Sequence, residues 1–260
     1  MIRGLYTSAI GMAIQQKRLD AASNNLANAS TTGFRRDVVV TQAFSDVMAR
    51  RVRDYEMRGI SMIGSNMLGP MSLGVTINTI HRDFSSGQFN RSNAPFDLAI
   101  NGQGFFRVAH VSTEGEVTEM FTRDGSLTVS PDGVLSTLDG FAVLSTAGSP
   151  IVLPNGEFVV GQNGDVFVDG ENIATISMVT FENLADLRPF GNNLYTAIEE
   201  AVEMPFIGSL MQGYLESSNV NTILEMVNMI AISRAYESNS RMVQMQDETL
   251  RQAVNEIARQ

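Results

Sequence analysis

Few side chains in this sequence could do chemistry, and their spacing decides what each one can do. Two histidines, His81 and His110, stand 29 positions apart in segments of different texture. Imidazole titrates near neutral pH and serves as acid, base or metal ligand, but two lone histidines without a nearby carboxylate motif read as surface or packing residues. There is no cysteine, which excludes disulfides, thiolate metal sites and thiol catalysis. No serine occupies a Gly-x-Ser-x-Gly elbow, and no His-Glu-x-x-His sequence occurs. Asn101-Gly102-Gln103-Gly104 has the start of a phosphate-binding loop, yet a dinucleotide fingerprint needs a third glycine and a helix after it. Phe105-Phe106-Arg107-Val108 follows instead, so the reading is a tight turn before a buried strand. Asp165 to Glu171 has acidic groups near calcium-loop spacing, but Phe167 sits at a ligand position and no glutamate closes the loop, so it reads as a hairpin turn. Glu199 and Glu200 read as a solvated face. No catalytic residue, metal site or cofactor site is expected.

One charged group resists this sorting. Arg50, Arg51, Arg53 and Arg58 form a basic cluster in an acidic chain of formal net charge -10. It is either a solvated segment or a set of directed contacts to an acidic neighbour, because guanidinium pairs carboxylates in a fixed fork. Both readings stand at this point. The overall acidity argues against nucleic acid as a partner. No window is long and apolar enough for a membrane span, and residues 1–30 are broken by Thr7, Ser8, Gln15, Gln16, Lys17 and Arg18, unlike the continuous apolar run of a secretory signal.

The elements that must position these residues fall into three regions. Residues 1–30 hold helix formers and no proline. Leu5, Ala9, Met12, Leu19, Ser23 and Leu26 follow alternating steps of four and three, with Gln16 filling the remaining slot, and Leu5, Met12, Leu19 and Leu26 recur every seven. That spacing predicts the seam of a coiled-coil-like helix, ended by the turn residues up to Gly33. Residues 34–85 are mixed: Val38, Val39 and Val40 predict a strand, while Gly59 to Gly74, rich in glycine, methionine and serine, reads as a long irregular loop. Residues 86–205 carry short alternating runs such as Phe105 and Val108, punctuated by Asp-Gly and Asn-Gly dipeptides, which predicts an antiparallel sheet, sandwich or open barrel. Residues 218–260 return to helix, with Ser218 or Asn219 as cap and Met229, Tyr236, Val243, Leu250 and Ile257 recurring every seven.

The expected fold class is therefore α+β: paired long terminal helices, coiled-coil-like, bracketing a mainly antiparallel β domain. The expected boundaries are 1–33 with 214–260 as a terminal helical assembly domain, 34–85 as an extended linking segment, partly β and partly irregular, and 86–213 as a β-rich outer domain. The terminal seams could pair within one chain. Closing so long a loop costs entropy, and small and apolar residues outside the seams suit further helical neighbours, so packing between subunits is favoured.

Three ordered motifs carry a resemblance. Asn24-Asn25-Leu26-Ala27-Asn28-Ala29-Ser30-Thr31-Thr32-Gly33-Phe34 resembles the N-terminal signature of bacterial flagellar rod and hook proteins. Gly213 to Asn221, with Glu225 to Ile230 and Arg234 to Glu237, resembles their C-terminal signature. Pro95 to Ile100 running into Gly102-Gln103-Gly104-Phe105-Phe106, then Thr122 to Ser126, is similar to their middle region. The resemblance implies a structural, non-catalytic subunit of the basal-body rod that polymerises into a helical tube. Its terminal helices would line the tube core, with a β domain outside. It places Asn24, Asn25, Asn28, Gly33, Phe34, Asn219, Val220 and Val227 with the heptad residues at an assembly interface. It implies as partners copies of the chain, other rod and hook proteins, surrounding rings and the flagellar export apparatus, which needs no cleaved signal peptide. The length of the 35–85 segment favours a distal rod protein, with a proximal rod or hook-type protein as the alternative. A secreted β-domain hydrolase or binding module is the reading from another class, and a deep pocket flanked by a histidine and a carboxylate would favour it.

Overall fold

The computed structural model describes residues 2–43, 47–57, 60–71, 75–111, 117–154 and 156–257. The chain divides into two compact units. One comprises Met1–Asn24, Asp37–His81 and Ile223–Gln260, and the other Asn25–Arg36 with Arg82–Thr222.

The first unit holds most of both helices. Helix α1 spans Ile2–Ala27 and helix α2 spans Thr222–Ile257, 36 residues, a rod of about 54 Å at the usual helical rise. Neither contains an internal proline. The helices run antiparallel where they touch: a Cβ on Gly4 would lie 2.4 Å from Gln246 Nε2, and one on Gly11 would lie 2.9 Å from Asn239 Nδ2. Residue numbers rise by seven on α1 as they fall by seven on α2, the repeat of helices packed side by side. The glycines that face Gln246 and Asn239 lie one position before Leu5 and Met12, which are themselves half-buried. On α2, Asn239 and Gln246 fall between Tyr236, Val243 and Leu250, on the stripe the heptad spacing predicts.

The same unit contains four strands: β1 (Asp37–Ala43), β2 (Val47–Met57), β3 (Ile60–Met71) and β4 (Val75–Arg82). β1 pairs with β4, and β2 pairs antiparallel with β3. Residues 60–71 are thus strand and not the irregular loop their composition suggests. In a two-stranded ribbon each strand is an edge, so Gly64, Gly69 and Pro70 are tolerated, since a missing N–H can face away from the partner. Arg18 of α1 donates from Nη2 to Thr41 Oγ1 of β1 at 3.3 Å.

The second unit is the β domain. After β5 (Phe89–Arg91), β6 (Leu98–Gln103), β7 (Phe105–Val111) and β8 (Val117–Thr122) come shorter strands. The largest sheet runs in the order Leu187–Gly191, Leu194–Ala197, β8, β7, Ala142–Val143, Leu135–Thr137, Leu127–Val129, and Met178–Phe181 also pairs with β7. Its recorded pairings are antiparallel, as expected from short strands joined by tight turns. Asp169-Gly170, with φ of 54° and 85°, makes the two-residue turn between Asp165–Val168 and Glu171–Thr175, which explains why an asparagine-like residue and glycine stand there.

Strand β7 has apolar residues on both faces. Phe106 and Val108 point into the main core with Leu98, Met120 and Leu135. Phe105 points the other way, into a second cluster with Phe121, Val179, Phe181 and Tyr195. Alternating side chains of one strand thus serve two layers.

Candidate assembly surface and anchoring junction

The two units present opposite situations to their own residues. In the β domain one cluster of charge is sealed from solvent. In the helical unit large apolar side chains stand in solvent.

The sealed cluster centres on Glu216, at the end of strand Tyr214–Glu216, which pairs with β5. Its side chain is 2% exposed. Glu216 Oε1 accepts from Arg35 Nη2 at 2.8 Å and from Gly87 N at 2.9 Å, and Oε2 accepts from Arg123 Nε at 2.7 Å. Arg123 then spends its other N–H groups on carbonyls, donating from Nη2 to Ile100 O at 2.9 Å and Gly102 O at 2.6 Å and from Nη1 to Gly104 O. The glycine-bearing segment 101–104 therefore cradles a cation with its carbonyls; it does not offer N–H groups to a phosphate. Burial pushes the Arg123 guanidinium below its ordinary pKa, and the Glu216 carboxylate offsets part of that.

The turn after α1 is fastened to the same place. Gly33 has φ of 65°, a left-handed conformation that favours glycine. A Cβ there would lie 2.6 Å from Arg123 O. Gly33 N donates to Glu216 O at 2.8 Å. Asp124 does not head a hairpin: its Oδ1 accepts from Thr32 Oγ1 and from Ser126 N, and Asn193 Nδ2 donates to Thr32 O at 2.8 Å. Burial raises the pKa of the Asp124 carboxyl, against the pull of the Thr32 hydroxyl and the Ser126 N–H. Asn219 does not cap α2 as expected; the helix starts at Thr222. Its Oδ1 accepts from Arg36 N at 2.9 Å, and its Nδ2 donates to Asp83 O at 2.8 Å and Ser85 O at 3.1 Å. Ser218 Oγ accepts from Val220 N at 3.2 Å. Competition for the side chain, here from the segments at Arg36 and at 83–85, removes Asn219 from the capping role.

The residues singled out from sequence sort clearly. Asn25, Gly33 and Phe34 are buried, and Leu5, Met12, Leu19, Leu26, Asn28, Asn219, Val220, Met229, Val243 and Leu250 are half-buried. Asn24, Val227 and Tyr236 are exposed, and Ile257 falls in the last turn of α2. Arg50, Arg51 and Arg53 lie on β2 opposite Met67, Asn66 and Gly64, and Arg58 lies outside the described residues. Arg35, Arg123 and Glu216 were not singled out. Each lies inside or beside a recognised motif, yet no spacing connects positions 181 and 93 residues apart.

Helix α2 supplies the open surface. None of its described side chains is buried. Ile223, Val227 and Ile230 are 74%, 58% and 56% exposed and follow one another at helical spacing along one face. Met242, Met245 and Val254 continue the exposed apolar area. Exposed apolar side chains at helical spacing are the kind of surface that packs against a partner.

Neither histidine joins a reactive arrangement. His81 is exposed on β4, and His110 packs at a tilt against Phe141 with ring centroids 5.3 Å apart. A cavity of about 240 Å³ in the β domain is walled by Phe96, Pro131, Leu153, Phe158 and their neighbours, with no titratable side chain in its described lining. Among the described residues no helix is long and apolar enough to cross a membrane.

Comparison with known proteins matches three segments. Residues 5–35 match the family "Flagella basal body rod protein", residues 99–168 the "Flagellar hook protein FlgE/F/G D1 domain", and residues 211–256 the "Flagellar basal body rod FlgEFG protein C-terminal". The chain is 34% identical over 272 residues to the flagellar basal-body rod protein FlgG of Bacillus subtilis, covering 98% of this chain and 99% of that one. It is 33% identical to the FlgG of Buchnera aphidicola subsp. Schizaphis graminum, covering 96% and 98%. It is 32% identical to the rod protein FlgF of Caulobacter vibrioides, covering 100% and 99%. The chain belongs to the flagellar basal-body rod proteins. It is a structural rod subunit.

The three matched segments of this rod protein each contribute one member of the buried cluster: Arg35 from the first, Arg123 from the second and Glu216 from the third. Removing the carboxylate charge leaves two buried guanidiniums uncompensated. Glu216→Gln is expected to destabilise the β domain by about 3–5 kcal/mol, the usual cost of breaking a buried pair from one side. Urea denaturation followed by circular dichroism reads this, and an unchanged midpoint contradicts it. Asp124 gives a prediction of opposite sign. Its folded pKa lies above the unfolded value of 3.8, so its ionisation opposes folding. Its contribution therefore worsens as pH rises from the unfolded value through the folded one, and the penalty is absent at more acidic pH. Asp124→Asn keeps an acceptor for Thr32. It is expected to melt above the wild type at neutral pH, with the difference shrinking as the solution is acidified. A difference that grows on acidification contradicts the assignment.

Proposed function

We propose that this rod subunit acts in the distal segment of the rod and that it assembles through its terminal helices. The observation that carries the second part is α2: a 36-residue helix with no buried described residue. An isolated helix gains most of its stability from packing an apolar face, and α2 has apolar faces left over after its contact with Gly4 and Gly11. Neighbouring copies supply the missing partners. The half-buried residues Leu5, Met12, Leu19 and Leu26, one position off the line that meets α2, form a second stripe for coiled-coil-like packing between subunits. Heterologous contacts of one face with a different face generate an open helical tube, which suits a shaft that transmits torque from motor to hook.

The relatives named FlgG, at 33% and 34% identity, support the distal segment. The relative named FlgF, at 32% over the whole chain, keeps a proximal position as the second reading. The β2–β3 ribbon bridges neighbouring subunits in this account, with Arg50, Arg51, Arg53 and Arg58 meeting acidic surfaces of the next copy. The partners are further copies of the chain, other rod and hook proteins and the surrounding rings. The chain reaches the basal body through the flagellar export apparatus, crossing the periplasm or wall as part of the rod. No catalytic step and no cofactor enters this function; family membership supports that.

Proline in either helix tests assembly separately from folding. It removes a helical hydrogen bond and clashes with the preceding turn, at a cost of about 3 kcal/mol or more. Met12→Pro and Val243→Pro are each expected to abolish swimming while the purified protein keeps the melting transition of its β domain. Wild-type motility in either variant contradicts the role of the helices.

A further inference from the structure

The main sheet of the β domain has a hole at one end and a knob at the other. The hole is the cavity of about 240 Å³ walled by Phe96, Pro131, Leu153 and Phe158, with Val129 of the last strand in the sheet order as a further wall. Phe96 and Phe158 lie against each other there, with ring centroids 5.0 Å apart. A phenyl group fits such a volume, since a cavity of about 150 Å³ already holds benzene. Aromatic and proline walls suit a flat apolar side chain.

The rim carries charge of one sign. Asp132 stands between the wall residues Pro131 and Gly133, and Glu157 between Gly156 and Phe158. Both are exposed. Asp169 follows the wall residue Val168. Its Oδ1 accepts from Glu157 N at 2.8 Å, and its Oδ2 lies 2.5 Å from where a Cβ on Gly156 would stand. None of the described wall residues is basic. A site of this kind selects an apolar group with a cation beside it.

The hairpin at the opposite end of the sheet has that chemistry. Strand Leu187–Gly191 begins the strand order that Leu127–Val129 ends, with five strands between them. Its pairing register with Leu194–Ala197 shifts between Pro189 and Gly191, so Phe190 is the extra residue of a bulge. Bulges at a sheet edge re-aim a side chain. Phe190 is 60% exposed and joins neither apolar cluster of the β domain. Arg188, two positions before it, is exposed and has no ion pair among the described residues.

We propose that Phe190 of one copy inserts into this cavity of a second copy, with Arg188 meeting the acidic rim of Asp132, Glu157 and Asp169. A knob at one edge and a hole at the other join two different faces, so the contact repeats from copy to copy without closing. The proposal rests on the reading of the chain as a polymerising rod subunit and adds a β-domain contact to the helical one.

Phe190→Ala and Arg188→Glu change exposed side chains. The purified chains are expected to keep the wild-type melting temperature, while strains carrying them lose motility. Adding Asp132→Arg and Glu157→Arg to Arg188→Glu exchanges the signs of the contact and is expected to restore swimming. The chain has no cysteine, so only introduced thiols react in it. Basal bodies built from the Asn192→Cys, Asp132→Cys double variant and treated with a short bismaleimide are expected to give a ladder of multimers on a denaturing gel, absent from either single variant. Rods of normal length that give no ladder overturn the docking and leave the rod subunit itself standing. Absence of the wild-type chain from isolated basal bodies removes that reading and the docking together. Wild-type motility in Phe190→Ala overturns the proposal, and so does charge exchange that fails to restore swimming. A product joining Asn192→Cys alone to a different protein assigns the hairpin to that protein and overturns it too.

Discussion

One carboxylate holds the β domain's connections together. Glu216 accepts from two arginines and a backbone N–H through its side chain, and from Gly33 through its carbonyl. Those bonds join the segments around residues 33–36, 87, 100–104, 123 and 216. They bring together stretches far apart in the chain, so their formation carries a loop-closure cost that only cooperative packing of the β core can offset. A buried ion pair is weak evidence for net stability, because desolvation consumes much of the attraction. What it supplies here is geometry. The bonds to Glu216 fix one arrangement of these segments, and a shift of any one would leave a charge buried alone.

The helical unit is built on the contrary principle. Its helices meet through small and polar residues at Gly4, Gly11, Asn239 and Gln246, while Ile223, Val227 and Ile230 stay exposed. The β domain satisfies its polar groups internally and buries two apolar clusters on the faces of β7. The helices leave apolar surface unspent within a single chain. In the proposed assembly through the terminal helices, this exposed apolar surface is what neighbouring subunits would cover.

Much of this was legible in the sequence because it is periodic or local. The seven-residue spacing of Met229, Tyr236, Val243 and Leu250 brackets Asn239 and Gln246, the α2 residues beside Gly11 and Gly4. The Asp169-Gly170 dipeptide gives a hairpin turn for a steric reason that needs no context. On α1, glycines one position before the apolar stripe face Asn239 and Gln246 of α2, a placement that apolar periodicity does not reveal. The β3 strand was hidden behind glycine, methionine and proline, whose low strand preference is overridden once a partner strand supplies the hydrogen bonds. The arginine–glutamate cluster was not legible at all. Arg35, Arg123 and Glu216 share no spacing, and only the folded β domain makes them neighbours. Asn219 was misjudged as a cap for a related reason: its amide is taken by Arg36, Asp83 and Ser85, which no local pattern reveals.

The central claim is that this chain is a structural segment of the basal-body rod. Electron microscopy of basal bodies isolated from a strain lacking the chain tests it most directly. The account predicts a rod that stops short, with no hook attached, restored to full length when the chain is supplied again. A complete rod bearing a hook in the deletion strain would contradict it.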